Sequence, residues 1–61
     1  MSIRMVAREL YRVVQEIEKL EGEIQGLKPD SPEKEVREKR LREARAERAR
    51  LKNMLEGAKA T

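Results

Sequence analysis

Between Ile3 and Leu27 the large aliphatic residues recur at spacings of 3-4-3-4-3-4-3, through Ile3, Val6, Leu10, Val13, Ile17, Leu20, Ile24 and Leu27. This is the 3.5-residue period of a helix packed along a seam, with Ile3, Leu10, Ile17 and Ile24 at heptad position a and Val6, Val13, Leu20 and Leu27 at d. Ala7 and Val14 at e, with Tyr11 beside them at b, widen the apolar face beyond the narrow stripe of a two-stranded zipper. A face this broad calls for more than one neighbouring helix.

Composition agrees. The chain has 61 residues, 44% of them charged and 38% hydrophobic, and it contains a single aromatic, Tyr11. Its richness in Ala, Glu, Lys, Leu and Arg is that of long helices, and the regular apolar spacing argues against disorder. The length sets a ceiling of one small domain, so the expectation is an all-α fold filling residues 1–61.

The chain divides once, at Gly26-Leu27-Lys28-Pro29-Asp30-Ser31-Pro32. Gly26 can adopt the left-handed conformation that closes a helix, Leu27 can fold back as its hydrophobic contact, and Pro29 pushes Lys28 out of the helical region. Ser31 reads as an N-cap and Pro32 as the first helical residue, with Glu33 and Glu35 near the positive helix end. Helix 1 is therefore expected over about 2–26, a turn over about 27–31, helix 2 over about 32–56, and a fraying tail at 57–61 after Gly57. A single continuous helix would carry two prolines through its middle, at about 3 kcal/mol each. An antiparallel hairpin of two helices, each roughly 35 to 38 Å long, is the expected unit.

Helix 2 offers a poorer apolar face. Val36, Leu41, Ala44, Leu51, Met54, Leu55 and Ala58 fall in one broad sector at 100° per residue, with Arg37, Arg40, Glu47 and Arg48 in or beside it. Long Arg stems can cover apolar surface while their heads reach water, and the spacings Glu33/Arg37, Glu35/Lys39 and Glu38/Arg42 favour ion pairs along the helix. Met54 is assigned to the core and Tyr11 to its edge.

A hairpin of this size holds too small a core for much stability on its own. Self-association into a dimeric four-helix bundle is the expected remedy, with Leu41, Leu51 and Leu55 joining the Ile3 to Leu27 positions as the oligomer seam. Residues 16–38 hold eight acids against four bases, a net of −4, and the remainder is +7. An antiparallel dimer would set these opposite charges side by side. Glu9, Glu16 and Glu23 occupy the interior g positions of helix 1 and would repel one another across two facing copies of that flank, so the g flank is expected to face the Arg-rich helix 2.

Several functions are disfavoured by residue type. Without Cys or His the chain lacks thiol chemistry, disulfides and the common zinc ligands. Its carboxylates are distributed as surface charge, which suits neither catalysis nor a dedicated cation site, and no cofactor is expected. No apolar run approaches the roughly 20 residues of a membrane span, and Arg4, Arg8, Glu9 and Arg12 interrupt the region where a signal peptide would be apolar. A soluble, cytoplasmic protein is the default expectation.

Two outward basic groups stand out: Arg4, Arg8, Arg12 and Lys19 on helix 1, and Arg42, Arg45, Arg48 and Lys52 on helix 2. They could grip nucleic-acid phosphates without reading bases. Solvated surface is the commoner role for mixed charge on a helix exterior, and the net charge is only +3. In size and layout this hairpin resembles the Rop family of small RNA-binding proteins, and that resemblance implies a dimeric four-helix bundle and RNA binding. The chain departs from the family in having no Phe for the aromatic contact on the RNA face. Small hairpin co-chaperones of secretion systems share the same outline. The resulting expectation is a non-enzymatic, self-associating interaction or scaffold module that binds protein, with Rop-like RNA binding as the alternative.

Overall fold

Ser2 sets the start of the first helix. In the computed structural model, which describes Ser2–Ala60 apart from the side chains of Lys59 and Ala60, Ser2 is extended and its Oγ accepts a hydrogen bond from Met5 N–H at 3.2 Å. Val6 N–H donates to the Ser2 carbonyl at 3.1 Å, so the cap satisfies donors that would otherwise lack partners in the first turn. Helix α1 spans Ile3–Gln25 and helix α2 spans Pro32–Ala60. They pack as a helical hairpin with principal extents of 47 × 14 × 14 Å, a rod two helices thick.

The turn differs from expectation in its geometry. Gly26 has φ −85° and ψ −4°, in the right-handed region, and no described residue has positive φ. The helix ends by tightening instead: Gly26 N–H donates to Glu23 O at 3.2 Å and Leu27 N–H to Ile24 O at 3.1 Å, bonds of the three-residue spacing that closes a last turn. Ser31 N–H donates to Lys28 O at 3.0 Å, and the Ser31 carbonyl receives Lys34 N–H at 3.1 Å as α2 begins.

Helix α2 also runs further than expected, through Gly57 to Ala60 rather than stopping near Glu56. Glycine lowers helix stability by roughly 1 kcal/mol relative to Ala without forbidding the helix, and Ala58 and Ala60 after it are strong helix formers. Of the tail expected to fray, Thr61 lies outside the described residues.

The core is the seam between the helices. Val6, Val13, Ile17 and Leu20 of α1 are buried together with Leu41, Ala44 and Leu51 of α2, and Leu10, Ile24 and Leu55 pack half-buried against them. Leu27 is half-buried beyond the end of α1, and Ile3, at the open end, is 50% exposed.

Helix α2 meets this seam with a 3-4 repeat of its own: Lys34, Arg37, Leu41, Ala44, Arg48, Leu51, Leu55 and Ala58. The broad apolar sector read from the sequence is thereby corrected. Val36 is 68% exposed and Met54 42% exposed, because they lie off the repeat while cations occupy seam positions. Tyr11 is likewise 66% exposed rather than at the core edge, since position b points away from a single packed partner.

Candidate interaction surface

In an antiparallel hairpin with a and d at the seam, the g positions of both helices border one side and the e positions border the other. The two sides are built differently. On the g side, Glu16 accepts from Arg40 Nε at 2.8 Å and Glu23 accepts from Arg37 Nε at 3.3 Å. Arg37 also reaches Glu33 at 3.7 Å, which is the one of the three expected pairs along α2 that closes among the described residues. Glu16 and Glu23 thus meet Arg side chains of α2 in the same chain, as their g positions required.

Glu9 does not. It shares an open groove with Glu47, along with Arg12, Val13, Glu16, Arg40, Glu43 and Ala44. Two carboxylates that would face one another there turn to their own helices instead, Glu9 to Arg12 at 2.7 Å and Glu47 to Arg50. Like charges avoid close approach when a cation three residues away is available.

Among the described residues the e side has one cross-helix ion pair, Glu21 to Arg45 at 2.9 Å. Towards the termini this side becomes apolar and uncovered: Ala7 is exposed, Val14 is half-buried and the ring of Tyr11 faces solvent. The Tyr11 hydroxyl accepts a hydrogen bond from Gln15 Nε2 at 2.9 Å, one turn along the helix, which leaves the ring standing on the surface with its polar end engaged.

The two basic groups are only partly free. Arg12 is paired with Glu9 and Arg45 with Glu21, whereas Arg4, Arg8, Lys19, Arg42, Arg48 and Lys52 are exposed and make no ion pair among the described residues. The antiparallel layout brings Arg4 and Arg8 to the same end of the rod as Arg48 and Lys52.

Among the described residues no polar or charged side chain is buried, no three potential metal ligands converge, and no helix is long and apolar enough to cross a membrane. The arrangement offers surfaces and an open groove. The Ser2 cap, the Gln15–Tyr11 bond and the 3-4 register that sets Lys34, Arg37 and Arg48 in the α2 seam were not anticipated from sequence, although Leu41, Ala44, Leu51 and Leu55 were. A serine just before the first apolar position and the unbroken 3-4 spacing from Lys34 to Ala58 were the signals that could have found two of them. No family model, curated protein or solved structure matches the chain.

Proposed function

We propose that this hairpin is a non-enzymatic assembly module that pairs with a second copy in a four-helix bundle and presents the bundle surface to a protein partner, in a cytoplasmic setting. The observation that carries the reading is the exposed apolar surface of α1, where Ala7 and Tyr11 stay uncovered beside the seam and Ile3 is half-exposed at its open end. Contiguous apolar surface of this kind marks interaction sites. A core in which no side chain is completely enclosed adds a thermodynamic reason, because further burial would stabilise a fold this small.

Light scattering across protein concentration, with circular dichroism on the same samples, tests the proposal. A highly helical dimer supports it. A fully folded chain that stays monomeric up to millimolar concentration overturns it.

A second reading, RNA binding through the basic end, draws on Arg4, Arg8, Arg48 and Lys52, which lie at one end of the rod without internal acid partners. It predicts an RNA affinity that falls steeply with salt and is lost in Arg8→Glu, the behaviour of phosphate contacts. Affinity that is unmeasurable at low salt removes this reading and leaves the first untouched.

A further inference from the structure

We draw no further inference here: the strongest candidate, the surface patch of Ala7, Tyr11 and Val14 on the e side of α1, is an apolar face beside the cross-helix pair Glu21–Arg45, and nothing in the structure shows what covers it.

Discussion

The two sides of this hairpin make opposite use of the same helices. On the g side, Glu16 and Glu23 find Arg40 and Arg37 across the seam, whereas on the e side towards the termini Ala7 and Tyr11 stay exposed and Val14 half-buried. An edge spanned by charge is specific about its neighbour and contributes little energy, because each exposed pair is worth only about 0.2 to 1 kcal/mol. An apolar edge is less specific and still has area to bury. The hairpin thus has one side that registers its two helices and one side that remains available.

The largest expected effect comes from the seam between those sides. Ile17 is 3% exposed, and Ile17→Ala should destabilise the fold by roughly 2 to 5 kcal/mol, read as a lower urea midpoint at constant protein concentration. That loss would loosen both sides together and gives the scale for the others. Tyr11→Ser separates them: helicity of the dilute chain should barely change, while association weakens about tenfold, a shift visible in sedimentation. A large loss of helicity in the dilute variant would instead mean that Tyr11 supports the hairpin itself.

Arg48→Leu should act in the stabilising direction. It replaces an exposed cation at a seam position between Ala44 and Leu51, both buried, with a side chain that can continue the core, and about 1 kcal/mol of added stability is expected in thermal melts. The smallest effect belongs to the ionic side. Glu16→Gln removes the carboxylate from Arg40 and should cost about 0.5 kcal/mol at low ionic strength, with the difference from the parent vanishing near 1 M salt. A cost that persists at high salt would show that packing of the side-chain stems, rather than charge, holds that side.

Much of this organisation was legible in the chain. The α1 seam could be read directly because nothing interrupts it, and Val6, Val13, Ile17 and Leu20 occupy the buried positions that its period assigns. The heptad position and charge of Glu16 and Glu23 turned them towards helix α2 without naming Arg40 and Arg37, and Glu9 on the same flank pairs within α1 instead. Helix α2 was harder, because Lys34, Arg37 and Arg48 stand at seam positions and disguise a 3-4 repeat as a ragged apolar sector. Reading by hydrophobicity then drew in Val36 and Met54, which the packing leaves outside. The end of α2 was misplaced for a related reason. Gly57 signals a stop only when the residues beyond it disfavour helix, and here two alanines follow within three residues. Tyr11 was placed too deep because position b points away from the one helix packed against α1.

The right-handed turn bears on how this chain could change over evolutionary time. Since no described residue needs positive φ and a Cβ at Gly26 would meet nothing nearer than the Glu23 carbonyl oxygen at 3.7 Å, glycine is replaceable there. The reversal is closed by backbone hydrogen bonds, Gly26 to Glu23, Leu27 to Ile24 and Ser31 to Lys28, with prolines at 29 and 32, a specification many sequences satisfy. Substitutions in this connection can accumulate as neutral drift, and lineages could explore new loop chemistry while the paired helices keep their alignment.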